Sequence, residues 1–186
     1  MAATTAAVLE LDDVRLWRAV AEGRSDAVRE LIDVHLPVVW GFVVGRVAGQ
    51  PELAEDILQE TLLEAVRRAP TYRGEAALAT WLCAIARSKL YHHWGRERRA
   101  EAAAGGIAVL GGTTGDVEEV VARRDLVLKG LAALSAVHRQ VLVMKYLDDQ
   151  SVEAIAAHLG RPVVQVQSLL QRARAGFRRM VPDGGL

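Results

Sequence analysis

Several things are scarce in this chain of 186 residues. There is one cysteine, Cys83, which excludes an internal disulfide and a multi-cysteine zinc site and suits a reducing compartment. Net charge is absent: 23 basic and 23 acidic residues cancel, which argues against a uniformly basic nucleic-acid coat. Long apolar runs are missing too. The longest, Leu36 to Val44, falls far short of the roughly 20 residues of a membrane-spanning helix. Met1 to Val8 is small and uncharged and then turns acidic at Glu10, Asp12 and Asp13, unlike a signal peptide. These absences lead to the expectation of a cytoplasmic protein with no membrane insertion. There is no glycine-rich phosphate loop and no nucleophile elbow, and Gly111 to Gly115 lacks the lysine of a P-loop. His92 and His93 are adjacent and point to different helix faces, while His35, His138 and His158 are scattered. No metal, cofactor or catalytic site is expected, and no enzyme.

What is present is helix. Apolar residues make up 51% of the chain, enough for a real core and against wholesale disorder. Strand-like alternation is rare, and Gly and Pro separate runs of helical length. Leu11 to Ala21 has helical spacing and stops at Gly23. Ser25 is placed to cap a second helix reaching His35. Pro37 suits the first turn of a third helix, Val38 to Ala48, stopped by Gly49. Pro51 opens a long helix to Ala69, Tyr72 to Glu75 make a turn, and Ala77 to Arg99 form another long helix. Ala100 to Gly115, with five glycines and no aromatics, reads as a flexible linker. Further helices are expected at 117–134, 136–147, 152–159 and 163–181. The fold class is therefore all-α. Two small helical domains, residues 1–99 and 117–186, are joined by a flexible linker at 100–116.

The zero charge divides unevenly. Residues 87–99 hold five basic residues and one acidic, a balance of +4, and residues 161–181 hold five basic and none acidic, +5. Residues 51–64 hold five acidic residues and no basic one, −5. Two basic helices on an otherwise acidic protein suggest two contacts with a polyanion, against the plainer reading of two solvated faces.

The second basic helix has a specific context. Ser151 is a plausible N-cap for a short helix with Ile155, Ala156 and Leu159 inward, and Gly160 suits its stop. After Arg161-Pro162 comes a longer helix whose apolar stripe is Val163, Val166, Leu169, Leu170, Ala173 and Phe177. Short helix, glycine turn, long basic helix is the order of a helix-turn-helix, whose second helix enters the major groove. Arg161, Gln165, Gln167, Ser168, Gln171, Arg172 and Arg174 are the candidate DNA contacts, since Gln pairs with adenine and Arg with guanine or phosphate. A helical hairpin within a bundle is the competing reading.

In residues 51–64, positions 52, 55 or 56, 59 and 63 share a helical stripe, with Leu53, Ile57, Leu62 and Ala65 as candidates for the buried side. An acidic stripe with Gln59 at its middle suits a basic protein surface, or simply solvent. Read in order, three pieces closely resemble region 2 of bacterial sigma factors. They are Leu53-Ala54-Glu55-Asp56-Ile57-Leu58-Gln59-Glu60, Tyr72-Arg73-Gly74-Glu75, and Thr80 to Arg87 followed by a basic run. Leu134-Ser135-Ala136-Val137-His138-Arg139-Gln140-Val141-Leu142, continuing through Ser151 to Arg174, resembles region 4. The likeness covers roughly residues 12–99 and 118–180. With only these two regions, the chain resembles the extracytoplasmic-function (group IV) class of the sigma-70 family.

The resemblance implies a transcription initiation factor that binds core RNA polymerase, through the clamp helices of its largest subunit and its flap region, and promoter DNA. It implies an anti-sigma factor as a controlling partner. Carried onto this chain, core binding falls on Glu55, Asp56, Gln59 and Glu60. Recognition and melting of the minus-ten element fall on Tyr72, Arg73, Gly74, Arg87, Ser88, Lys89, Tyr91, His92, Arg96, Arg98 and Arg99. The helix-turn-helix residues named above take the minus-thirty-five element. Elementary chemistry agrees: melted single strand needs aromatic platforms and cations, and residues 72–94 hold Tyr72, Trp81, Tyr91 and Trp94. The loop Thr71 to Ala77 would pocket a flipped base. Trp81 is expected in the core, Tyr91 and Trp94 in either role, and Cys83 as a buried thiol.

Some positions depart from the family. Ser88 stands for a common Asn, His92 for an Asp and Gly95 for a basic residue, while His93 is kept. Val164 to Leu169 lacks the usual Lys and Arg of the recognition helix, and Ala154 replaces the capping-box Glu. Either glutamines read a different minus-thirty-five sequence or this contact is weak. A different function class, a stand-alone helix-turn-helix regulator, would bind duplex without polymerase and have no use for residues 51–64. The acidic surfaces predict weak DNA binding by the protein alone.

Overall fold

The structure, a computed structural model, describes residues 2–103 and 119–181. Among the described residues every regular element is helical. They are α1 (Ala2–Ala21), α2 (Ser25–Glu30), α3 (Leu36–Val44), α4 (Pro51–Arg67), α5 (Leu78–Ala103), α6 (Glu119–Ala132), α7 (Ala136–Leu142), α8 (Val152–Leu159) and α9 (Val163–Met180). Two widened π-type turns, Leu31–His35 and Val143–Leu147, follow α2 and α7, and a short 3-10 turn, Ala69–Thr71, follows α4. The chain forms two compact units, residues 1–44 with 51–90, and residues 45–50 with 91–186.

In the first unit Trp17, Val39, Ile57, Leu78 and Leu82 form the core, each at most 1% exposed. Burying each such side chain contributes about 1.5–3 kcal/mol. Asp13 of α1 joins this core to α5: its Oδ2 accepts the Leu78 N–H at 2.7 Å, so a distant carboxylate satisfies an open donor in the first turn of α5. His35 Nε2 lies 4.0 Å from the other oxygen of Asp13. On α4 the buried row is Ala54, Ile57, Thr61 and Ala65. Leu53 and Leu62, expected inside, are half-buried. The small Ala54 and the self-satisfied Thr61, whose hydroxyl donates to the Ile57 carbonyl at 2.6 Å, take the inner positions.

In the second unit α9 lies in the middle of α6, α7 and α8, with Val166, Leu170, Ala173 and Phe177 buried along one side. Gly130 of α6 lets the helices close: a Cβ there would meet Val181 Cγ2 at 2.7 Å and Phe177 Cε2 at 2.9 Å.

Several helix ends differ from those expected. Ser25 is the first residue of α2 rather than its cap; Arg24 holds the cap position and has no side-chain capping bond. The second and third helices run on through Leu31–His35, because Pro37 has no N–H to give to residue 33 and the widened turn absorbs the mismatch. α3 ends at Val44, not Ala48. Ala48 takes φ 55° and Gly49 φ 75°, which ends any helical course there, and the Arg46 side chain bonds to Asp148 and the Leu147 carbonyl. α5 runs to Ala103, so the first residues of the expected linker are helical. The rest of that linker, residues 104–116, lies outside the described residues, as do Val117 and Glu118 at the expected start of α6.

Candidate nucleic-acid interface

Three surfaces carry the candidate residues. The first is α4. Glu55, Asp56, Gln59 and Glu60 are all exposed, and none forms an ion pair among the described residues. The stripe continues in Leu63 and Val66, 61% and 47% exposed. These two were missed in the sequence, where Leu63 was placed on the stripe and given no role. Leu63 three residues after Glu60, and Val66 three after Leu63, were the available signal. Glu64, by contrast, is engaged. Arg68 Nε reaches it at 2.6 Å and Lys89 Nζ at 3.4 Å, and these bonds hold its carboxyl below the usual range, Arg68 first.

The second surface is the loop before α5. Thr71, Tyr72, Arg73, Glu75, Ala76 and Trp81 line a cavity of about 420 Å³. Pro70 ends the preceding helix, and Gly74 with φ 76° turns the chain where a Cβ would be strained. Tyr72 is 6% exposed, with its hydroxyl donating to the Ala76 carbonyl at 2.8 Å, so it braces the loop from beneath. Its ring lies 5.0 Å from Trp81, which stands 5.6 Å from Trp17 in an edge contact. Trp81, expected in the core, is half-buried and forms part of the cavity wall, because Tyr72 and Trp17 already fill the space behind it. Arg73 is exposed at the rim. An aromatic wall with a cation beside it is what an unstacked base requires.

Along α5 the candidates fall into two rows. Ser88, His92, Arg96 and Arg99 are exposed at helical spacing and make one continuous stripe. Arg87, Lys89, Tyr91 and Arg98 are half-buried. Lys89 is held by Glu64, Tyr91 Oη donates to Asp148 Oδ2 at 2.8 Å, and Arg98 Nη1 donates to Gln140 Oε1 at 3.0 Å. Burial, and then the charges of Arg161 and Arg99, pull the Arg98 guanidinium below its ordinary pKa. Trp94, 1% exposed, is core. Cys83 is half-buried rather than buried.

The third surface is the α8–α9 pair. Ser151 Oγ accepts the Ala154 N–H at 3.1 Å, so the cap forms without the capping-box Glu. Gly160, at φ 61° and ψ 37°, turns the chain, and the Arg161 N–H closes on the Ala156 carbonyl at 3.0 Å. Arg161, Gln165, Gln167, Ser168, Gln171 and Arg172 are exposed. Arg174 is the exception. It is half-buried, its Nε is enclosed without a partner, and its guanidinium lies 6.0 Å from the centre of the Tyr146 ring. Leu170, four residues before it, and Phe177, three after it, are buried, so Arg174 stands at the edge of the inward face of α9. Val164 is a candidate that the sequence did not single out. It is 74% exposed at the start of α9, and an apolar side chain there is suited to a thymine methyl.

Sigma-70 region 2 matches residues 31–100, and Sigma-70 region 4 matches residues 124–175. The chain is 31% identical over 171 residues to the ECF RNA polymerase sigma factor SigL of Mycobacterium tuberculosis, covering 89% of this chain and 95% of that one. It is 30% identical over 187 residues to the ECF RNA polymerase sigma factor BldN of Streptomyces coelicolor, covering 92% and 68%. A solved structure of the sigma factor RpoE in complex with the anti-sigma factor NepR, from Bartonella quintana, aligns with a TM-score of 0.47 at 24% identity, covering 86% of this chain and 99% of that one. With both regions matched in order and a relative above 30% identity along nearly its whole length, the chain belongs to the extracytoplasmic-function sigma factors, which direct RNA polymerase to promoters to begin transcription.

Proposed function

We propose that the exposed face of α4 is the docking surface for core polymerase, that the 71–76 cavity takes an unstacked minus-ten base, and that α9 reads the minus-thirty-five element. The observation that carries the proposal is the α4 face. Glu55, Asp56 and Glu60 stay outside every ion pair described, while Arg67 at the end of α4 and Arg68 just beyond it pair with Glu64. Acids left unpaired around exposed Leu63 and Val66 give a charged rim with apolar anchors, the usual anatomy of a steered protein contact. Functionally, residues 1–99 and 117–186 act as the two domains, with 100–116 between them.

In promoter binding, Ser88, His92, Arg96 and Arg99 offer the strand a row of polar and basic groups along α5. Gln165, Gln167, Ser168 and Gln171 offer amide and hydroxyl groups to base edges, with Arg161 and Arg172 at the phosphates. No covalent step is assigned to the chain. It acts in the cytoplasm, and an anti-sigma factor holds it by covering these same faces.

The test is reconstitution with core polymerase. Asp56→Arg with Glu60→Lys should abolish co-purification with core and promoter-specific initiation while helical content is kept. Unchanged core binding would remove α4 as the docking face. Duplex binding unaffected by polymerase, together with no initiation from any genomic template, would favour a stand-alone regulator.

A further inference from the structure

We propose that Asp148 is a latch: in the chain by itself it holds the promoter-facing end of α5 against the helix-turn-helix segment, so that Tyr91 and Arg98 are withheld from DNA. This rests on the minus-ten role of α5 proposed above. Every group involved lies in the second unit.

Asp148 closes the widened turn after α7, and its side chain is 1% exposed. An ionised carboxylate so enclosed must be matched by donors or it destabilises the fold. The donors come from far along the chain. Arg46 Nε and Nη2 donate to Oδ1 at 3.0 and 2.8 Å, and Tyr91 Oη donates to Oδ2 at 2.8 Å. Arg46 Nη2 also donates to the Leu147 carbonyl at 3.0 Å. One residue thus joins the 45–50 turn, the middle of α5 and the segment leading into α8.

The same α5 row continues the contact. Arg139 Nη2 donates to Glu97 Oε1 at 2.6 Å, Arg98 to Gln140 at 3.0 Å, and the Tyr91 and His158 rings lie 4.8 Å apart. Around the buried Trp94 ring this interface is completed by charges and amides, and that polar part is incompletely satisfied: Glu97 Oε2 and Gln140 Nε2 are buried without a partner. A partly satisfied polar network holds less firmly than an apolar core, and its groups recover water when it parts. It is the chemistry of a contact that separates. The hydroxyl of Tyr91 and the guanidinium of Arg98 cannot serve Asp148 and Gln140 and a DNA strand at once, so closure and minus-ten binding compete.

The test uses the full-length chain and a fluorescein-labelled, random-sequence single-stranded oligonucleotide read by anisotropy. Charge alone and the latch predict different patterns. Asp148→Asn removes a negative charge and Arg46→Gln a positive one, yet both should tighten binding about tenfold, equal to ~1.4 kcal/mol. Asp149→Asn, the exposed neighbour, changes the charge as Asp148→Asn does and should change affinity less than about twofold. Adding Arg98→Ala to Asp148→Asn should erase the gain, and the radius of gyration in solution scattering should rise in both latch variants. Should Asp148→Asn lose helical content, Arg46→Gln and Tyr91→Phe carry the test. Weaker binding by Arg46→Gln, or equal gains for Asp148→Asn and Asp149→Asn, would overturn the latch while core-dependent initiation by the unaltered protein left the polymerase assignment standing. No core-dependent initiation by the unaltered protein would overturn both.

Discussion

Adding one methyl group at Gly130, Gly176 or Gly41 should change stability by amounts that differ in sign. All three glycines lie within helices, where Ala for Gly gains about 0.5–1 kcal/mol of propensity. At Gly41 a Cβ meets nothing within 4 Å, so the full gain should appear. At Gly176 it would come 2.9 Å from Leu134 Cδ2, the far end of a flexible side chain, and the result should be near zero. At Gly130 it would strike Val181 Cγ2 at 2.7 Å and Phe177 Cε2 at 2.9 Å, both on side chains nearly fully buried. Overpacking of that kind costs about 1–3 kcal/mol, so Gly130→Ala should be destabilising by ~1–2 kcal/mol after the propensity gain. None of the four tryptophans lies on α6 or α9, so their fluorescence does not read those two helices separately. Amide hydrogen exchange does. Peptides from α6 and α9 should lose about tenfold in protection in Gly130→Ala, and peptides from α3 should gain in Gly41→Ala. Equal protection of α9 in Gly130→Ala and the unaltered protein would refute the close crossing of α6 and α9, and with it the account of what steadies the recognition helix.

Two further outcomes follow from the helix-turn-helix and its neighbour. Ser151→Ala should lose ~1 kcal/mol by leaving the Ala154 N–H without its 3.1 Å partner, and Gly160→Ala a similar amount by forcing a Cβ into φ 61°; amide hydrogen exchange of peptides from α8 and α9 reads both. His158 is pulled below its ordinary pKa by burial, then by the Arg98 and His92 charges, so the unfolded chain takes up the proton first as pH falls. The stability it contributes is therefore present above about pH 6.5 and lost below it, and His158→Gln should flatten that part of the pH dependence of unfolding.

The helices were legible because their signals are local. The Ser151 cap and the Gly160 stop sit at the bounds of α8 as the sequence placed them, since each acts through its own backbone within one turn. Ends set by distant partners were not legible. Nothing near Leu78 announces that Asp13, 65 residues earlier, completes its first turn, and nothing near Val44 announces that the Arg46 side chain bonds to Asp148. The candidate surfaces show the same division. Periodicity alone puts Glu55, Asp56, Gln59 and Glu60 on one face and the exposed glutamines on α9. Periodicity could not show that Trp81 would be displaced outward by Trp17 and Tyr72, or that Arg174 would be turned toward Tyr146.

Counting charge by segment therefore overstates what faces DNA. Of the basic residues in 87–99, Lys89 is spent on Glu64 and Arg98 on Gln140. Of those in 161–181, Arg174 is largely enclosed and Arg172 Nε leans back on the Ser168 carbonyl at 3.3 Å. Of the α4 acids Glu64 is paired, but Glu55, Asp56 and Glu60 all reach solvent. The surface potential over α4 is then negative although the net charge is zero, and a polyanion that approaches this face is met by repulsion. Binding of the α4 face to a basic partner removes that opposition and leaves the cations of α5 and α9 as the dominant field. Neutralising α4 with Asp56→Asn and Glu60→Gln should thus raise the affinity of the protein alone for single-stranded DNA at low salt, with the gain shrinking as ionic strength rises. A gain that persisted undiminished at high salt would mean that α4 acts on DNA binding through conformation and not through its field.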